Sequence, residues 1–289
     1  MLVSTSKGFG NRTKRPKQTI KIMLVTTFIA ITFLGSLLDA SGDAKNQAAS
    51  EPRAARTDRP YVFDAILRDQ GSAPEVSTAE LQAALENASA VILDARPYDE
   101  YAVSHIPGAR PVPGKPGTTP ALYVADVNRV LSTIADKNQP LILYCNGLNC
   151  GRSKRFADEL LKAGYRNIRR YQLGAPMWQA LGGVMQVEKP ALVRLLVEDA
   201  TAVLVDARDS GNITSQLRNS RSIPLHDASK AKDDGRLPMA DHNTRIFVVG
   251  DSGAQARAVA EAIARDAFHN VAFFDGSIAA LTELHQERP

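Results

Sequence analysis

The sequence predicts an α/β fold in which one domain is built twice, each copy a small parallel sheet flanked by helices, behind an N-terminal signal or anchor segment. Three observations predict it. Short apolar runs such as 91–95 (broken only by Asp94) and 141–144 have the unalternating pattern of strands buried on both faces. Amphipathic stretches separate them, the alternation that a parallel sheet requires. Residues 86–96 also match residues 198–208 at seven of eleven positions, an offset of 112. Further pairs follow in the same order: 141–145 with 246–250, and 164–167 with 267–270. One domain has therefore been duplicated.

The N-terminus reads in three steps. Lys7, Arg12, Lys14, Arg15, Lys17 and Lys21 form a basic stretch, residues 22–38 are mostly apolar, and 39–44 are small and polar. That is the order of a secretory signal. The apolar run is long for a cleaved signal and short for a comfortable span, so cleavage near 40–44 and a retained anchor both stay open. Either places the remainder outside the cytoplasm, periplasmic or on the outer face of the membrane, with membrane contact through residues 22–38. Residues 1–40 are thus the signal or anchor, and 41–59, small, charged and Pro-containing, a linker.

The formal charge of +4 invites a nucleic-acid reading. Removing the six bases and the one acid, Asp39, before residue 40 leaves 29 bases against 30 acids. The positive excess belongs to the N-terminus, and a nucleic-acid partner is excluded. No nucleotide, flavin or metal fingerprint is present, so no cofactor is expected. Two cysteines and a distant His105 lack the paired spacing of a zinc site.

In the first copy, residues 79–85 have a helical pattern and 91–95 form a strand that Pro97 ends, with a helix restarting at Asp99. Residues 120–135 are amphipathic and read as a helix, 141–144 as the second strand, 155–163 as a helix closed by Gly164, and 167–172 as the third strand. Ligands of such sheets bind beyond the carboxyl ends of the strands. Asp94, Arg96 and the loop after residue 144 all fall there.

That loop reads Cys145-Asn146-Gly147-Leu148-Asn149-Cys150-Gly151-Arg152-Ser153 and holds the only two cysteines of the chain. Strand, glycine-bearing loop and helix start collect backbone N–H groups around one point, which favours a thiolate at Cys145. Gly147 and Gly151 allow the curl at positive φ, and Asn146 and Asn149 tolerate it. Arg152, with Lys154 and Arg155, supplies positive charge for an anionic substrate, although charge at a helix start is also ordinary solvated surface. Cys150 is either a resolving thiol or a small apolar filler, and both readings stand. Asp94 and Arg96 read best as an ion pair holding the loop, and His105 as part of a turn packed below it.

These residues carry a resemblance. Asp94-Ala-Arg96, Glu100-Tyr101, His105-Ile-Pro-Gly-Ala109, the strand–Cys145 loop and Gly174-Ala-Pro-Met-Trp178 resemble, in order, the motifs of a rhodanese domain. Ser104 and Leu173 stand where the family has glycine. The resemblance covers residues 60–185; 186–289 look like a degraded rhodanese-like domain, with Gly250 in place of the cysteine and 216–219 in place of the His-Ile-Pro-Gly turn. It implies a sulfurtransferase, which the N-terminal reading makes an exported one. A small anionic donor such as thiosulfate gives sulfur to Cys145, and a thiol or cyanide removes the sulfur from the persulfide. It also implies a longer loop than the family norm, with seven residues between Cys145 and Ser153. The Cys-x6-Arg spacing does not fit the Cys-x5-Arg of phosphatases with this fold. Two other readings stay open: a thiol–disulfide protein using Cys145 and Cys150, and a non-enzymatic anion- or partner-binding module. The second copy is expected to shape or cover the cleft beside Cys145, and Trp178 to pack in the core or between the copies.

Overall fold

The computed structural model describes residues 71–119, 124–209 and 219–281. The signal or anchor, the linker and the membrane contact through residues 22–38 lie outside the described residues, as do 60–70 and 210–218. Among the described residues no helix is long and apolar enough to cross a membrane.

The first copy runs α1 (Thr78–Glu86), β1 (Val91–Asp94), α2 (Tyr98–Val103), β2 (Arg110–Pro111), α3 (Val127–Thr133), β3 (Leu141–Tyr144), α4 (Arg152–Lys162), β4 (Ile168–Tyr171) and α5 (Gly174–Ala180). Its sheet is parallel in the order β2-β1-β3-β4. Local chemistry sets the boundaries. A capping box starts α1, with Glu80 N–H donating to Ser77 Oγ (3.2 Å) and Ser77 N–H donating to Glu80 Oε2 (2.8 Å). Gly151 is the N-cap of α4, so this helix begins at Arg152, earlier than its apolar pattern suggests. The amphipathic stretch 120–135 is not one helix. Ala125 bridges Gly114, and Asp126 then accepts the Asn128 N–H and starts α3.

The second copy repeats the plan as α6 (Lys189–Glu198), β6 (Val203–Asp206), β7 (Ser220–Ser222), a 3-10 turn (Leu225–Asp227), β8 (Ile246–Gly250), α7 (Gly253–Ala264) and β9 (Val271–Ser277), preceded by β5 (Met185–Val187). Its parallel sheet is ordered β5-β9-β8-β6-β7. The last four strands reproduce the first sheet. Strand β5 has its counterpart in the single parallel bridge from Glu75 to Arg170 beside β4.

Two apolar clusters lie within the copies. A third joins them, packing Leu81, Ile142, Tyr144 and Trp178 with Met185, Leu192, Phe247 and Phe274. Each fully buried side chain of this kind stabilises by about 1.5–3 kcal/mol. Trp178 is 5% exposed, packs its ring over Gly183 and donates from Nε1 to Val184 O (3.0 Å). The seam is also stitched by backbone: His105 N–H donates to Gln186 O (2.9 Å), Gln186 N–H to His105 O (2.8 Å) and Glu188 N–H to Ala102 O (2.9 Å).

Candidate active site

Strand β3 ends at Tyr144, and Cys145 is the next residue, at the carboxyl edge of the sheet. Its carbonyl accepts the Ala175 N–H (3.0 Å). This contact explains Gly174 in the Gly-x-x-x-Trp motif. Gly174 sits at φ +67°, and a Cβ there would overlap Gly147 N and Cys145 O and lie 2.8 Å from Gly147 Cα. Only glycine lets α5 approach the loop so closely.

Past Cys145 the chain turns sharply. Gly147 takes φ +94°, and Cys150 N–H donates back to Gly147 O (3.0 Å). Of the two glycines expected at positive φ, only Gly147 is there; Gly151 has φ −75° because it caps a right-handed helix. The return turn sets the Cα atoms of Cys145 and Cys150 6.3 Å apart, within disulfide range, and the two sulfurs are bonded. The side chain of Cys145 is buried (2%) yet belongs to none of the three apolar clusters; its sulfur is directed to Cys150. Among the described residues, no backbone carbonyl accepts from the N–H groups of Gly147, Leu148 or Gly151. Helix α4 points its positive end at the same place.

The loop opens on a depression of about 480 Å³ lined by Asn146, Leu148, Asn149, Cys150, Gly151, Arg152 and Arg155. Two cations and Cys150 thus line one space. Ser153 is buried in the first turn of α4 and stands away from it. Glu100 holds the loop from the side: Asn146 Nδ2 donates to its Oε2 (2.5 Å), and Arg152 Nη1 lies 3.5 Å from its Oε1. Sequence reading placed Glu100 in a motif but gave it no position at the loop. The separation of 46 residues leaves no local signal for that contact.

Asp94 and Arg96 lie beneath. Arg96 donates from Nε to Asp94 Oδ1 (3.0 Å) and from Nη2 to Oδ2 (2.6 Å) and Ser104 O (2.6 Å). Tyr144 OH donates to Asp94 Oδ2 (2.6 Å) and accepts the Ile106 N–H (3.1 Å). This buried fork ties the ends of β1 and β3 to the His-Ile-Pro-Gly turn and reaches no open space. His105 sits at the seam between the copies. It stacks on Tyr101 (3.8 Å), with Nδ1 2.9 Å from Tyr101 O and Nε2 3.7 Å from Glu188 Oε1. Burial pulls its pKa down to about 4, against the Tyr101 carbonyl, which favours the protonated ring.

The second copy contributes none of the described residues lining the Cys145 depression, so the expected cover from that side is not found among them. A separate cleft of about 530 Å³ between the copies is lined instead by Arg110 and Gln186 and by Gly253, Arg257 and Asp275 beside the cysteine-free loop. That loop is filled by its own side chains. Asp251 N–H donates to Gln255 Oε1 (2.8 Å), and Asp275 packs its carboxylate on Gly253. Among the described residues no group of three His, Cys, Asp or Glu is placed to hold a metal ion.

Comparison with known proteins agrees with this architecture. No curated protein matches the chain. Among solved structures it is similar to a thiosulfate sulfurtransferase from Pseudomonas aeruginosa, with 25% identity over 76% of this chain and 46% of that one, TM-score 0.35. The chain thus spans under half the length of that protein. A rhodanese-like domain from Anabaena sp. is 24% identical over 34% of this chain and 93% of that one, TM-score 0.28. The rhodanese-like domain model matches residues 77–181 and again 189–284, well over half of the sequence. The chain belongs to the rhodanese-like domain family and carries two such domains in tandem.

Proposed function

We propose that this protein is an exported sulfurtransferase working through a persulfide on Cys145. The reduced Cys145 thiolate attacks the outer sulfur of a thiosulfate-like donor. The donor's S–S bond breaks, sulfite leaves with the electron pair, and Cys145 keeps the sulfur as a persulfide. Cyanide or a thiolate then attacks that outer sulfur, carries it off and returns the Cys145 thiolate. One observation carries the reading: Cys145 stands at a strand end, in the loop that leads into α4, and its bonded partner Cys150 lines the Arg152–Arg155 depression. Amides and a helix terminus hold the thiolate and cradle the anionic persulfide without a bulky base. Arg152 and Arg155 draw in the donor. The export half rests on the order of basic, apolar and small-polar residues in 7–44; finding the protein in a cytoplasmic fraction removes it.

The test is the intact mass of the Cys150→Ser variant, reduced and freed of reductant, after incubation with thiosulfate. A gain of about 32 Da on Cys145, one sulfur atom, is the expected result. An unchanged mass with no sulfite released refutes the reading. The bond between Cys145 and Cys150 favours a second reading, thiol–disulfide exchange with no sulfur donor. In that case a Cys150→Ser variant loses all redox cycling and gains no thiosulfate turnover.

A further inference from the structure

We infer that Cys150 resolves the Cys145 persulfide, so that the protein releases hydrogen sulfide and closes the disulfide seen between the two residues. This rests on the sulfurtransferase reading and adds a second outcome to it. The persulfide's inner sulfur is Cys145 Sγ. Attack on it by the Cys150 thiolate forms the Sγ–Sγ bond and breaks the bond to the outer sulfur, which departs as hydrosulfide with the electron pair. Sulfane sulfur is reduced to sulfide, and two cysteine thiols are oxidised to one disulfide. A dithiol reductant must then restore the thiols, giving a net reaction of thiosulfate and dithiol to sulfite, sulfide and disulfide.

The geometry carries this in three ways. The loop between β3 and α4, residues 145–151, is longer than its counterpart after β8, residues 251–252, and the added length holds the turn from Gly147 to Cys150. Its bond from Cys150 N–H to Gly147 O returns residue 150 to within 6.3 Å (Cα–Cα) of Cys145. Held at that distance, Cys150 attacks as part of the same molecule and outruns a dilute external thiol. The two sulfurs are also unequally placed. Cys145 is 2% exposed and absent from the lining of the depression, whereas Cys150 lines it. An incoming dithiol therefore meets Cys150 and expels Cys145. The leaving thiolate is the buried one at the end of β3. Reduction thus regenerates the nucleophile directly. The supplying reaction is then a dithiol–disulfide oxidoreductase on the same side of the membrane as this protein.

The experiment uses the full chain, reduced, freed of reductant and mixed with thiosulfate without oxygen or other thiols. The wild type should release about one equivalent each of sulfite and sulfide and end about 2 Da below its reduced mass, with no free thiol. The Cys150→Ser variant should release the sulfite, keep the sulfur as a gain of about 32 Da, and yield sulfide only on adding an external thiol, at a rate rising with its concentration. Wild-type protein that releases sulfite but holds the added sulfur with Cys150 still free overturns this inference alone. If neither protein releases sulfite, the sulfurtransferase reading fails and this inference fails with it. The wild-type measurement stands even if the variant does not fold.

Discussion

The two copies share a sheet order and a strand-end fork, and they part at one loop. Arg208 grips Asp206 as Arg96 grips Asp94, with Nε to Oδ1 at 3.0 Å in both and Nη2 to Oδ2 at 2.7 Å against 2.6 Å. The loop after β3 carries the cysteine pair and opens on a cationic depression. The loop after β8 begins at Gly250 and spends its contacts on Gln255 and Asp275. A feature that recurs where no thiol exists serves the fold, so the Asp-x-Arg fork is architecture. A feature found only beside Cys145 is a candidate for chemistry. Arg152, Arg155 and the Gly147–Cys150 turn pass that test.

The largest expected effect breaks the comparison at the thiol. Cys145→Ser should abolish persulfide formation, read as the loss of thiosulfate-dependent sulfite release. Adding Gly250→Cys to that variant should not restore it. A Cβ at residue 250 would lie 2.7 Å from Gln255 Oε1, and acidic Asp251 and Asp275 stand at this loop while its nearby cation, Arg257, is paired with Glu261. Sulfur captured at position 250 would show that strand-end placement suffices without the open cradle.

Next come the forks. Arg96→Ala and Arg208→Ala each leave a buried aspartate without its cation, which costs about 3–5 kcal/mol. Urea midpoints should fall in both, and Arg96→Ala also removes the bond to Ser104 O. Sulfur transfer per folded molecule should survive Arg208→Ala. A normal midpoint with lost activity in Arg96→Ala would move that residue from architecture to chemistry.

This sorting was half legible in the sequence. Strands β1 and β3 announced themselves as apolar runs, and the repeat of 86–96 in 198–208 announced the duplication. Cys145 was found because strand, glycine and helix start are local and contiguous. The rest depends on tertiary contacts. Strand β2 has two residues, too few for any period, and exists only because β1 offers it a ladder. Glycine content alone does not say which glycine turns left-handed, so Gly151 was expected to share the curl that Gly147 makes alone. Whether Cys150 is filler or partner was open because the answer lies in one backbone bond, from Cys150 N–H to Gly147 O. The position of His105 at the seam depends on Gln186, 81 residues further on, which no spacing rule connects to it.

That seam gives a pH test of how the copies are joined. Folding holds His105 neutral, at about 4 against 6.5 in the unfolded chain, with Tyr101, Asp94, Arg96 and Glu188 around it. The unfolded state therefore binds the extra proton first as pH falls. Stability is full above about pH 6.5, declines down to about pH 4 and flattens below, a loss of roughly 3 kcal/mol. His105→Gln should flatten that slope in urea titrations across the window. A slope left intact would assign the acid sensitivity to carboxylates elsewhere.

The smallest effect sharpens the contrast between the loops. Glu100 is the acid that sits against the cysteine-bearing loop, taking one bond from Asn146 and pairing with Arg152, whose side chain is 25% exposed. A pair of this exposure contributes about 0–1 kcal/mol. Glu100→Gln keeps an acceptor for Asn146 but removes the negative charge beside Arg152 at the depression. The KM for thiosulfate should fall by about two- to five-fold at low ionic strength, with kcat nearly unchanged. The gain should shrink as salt is raised, because screening weakens exposed charges first. A rise in KM would instead mean that the pairing orients Arg152 for the donor, which makes Glu100 a positioning residue of the site.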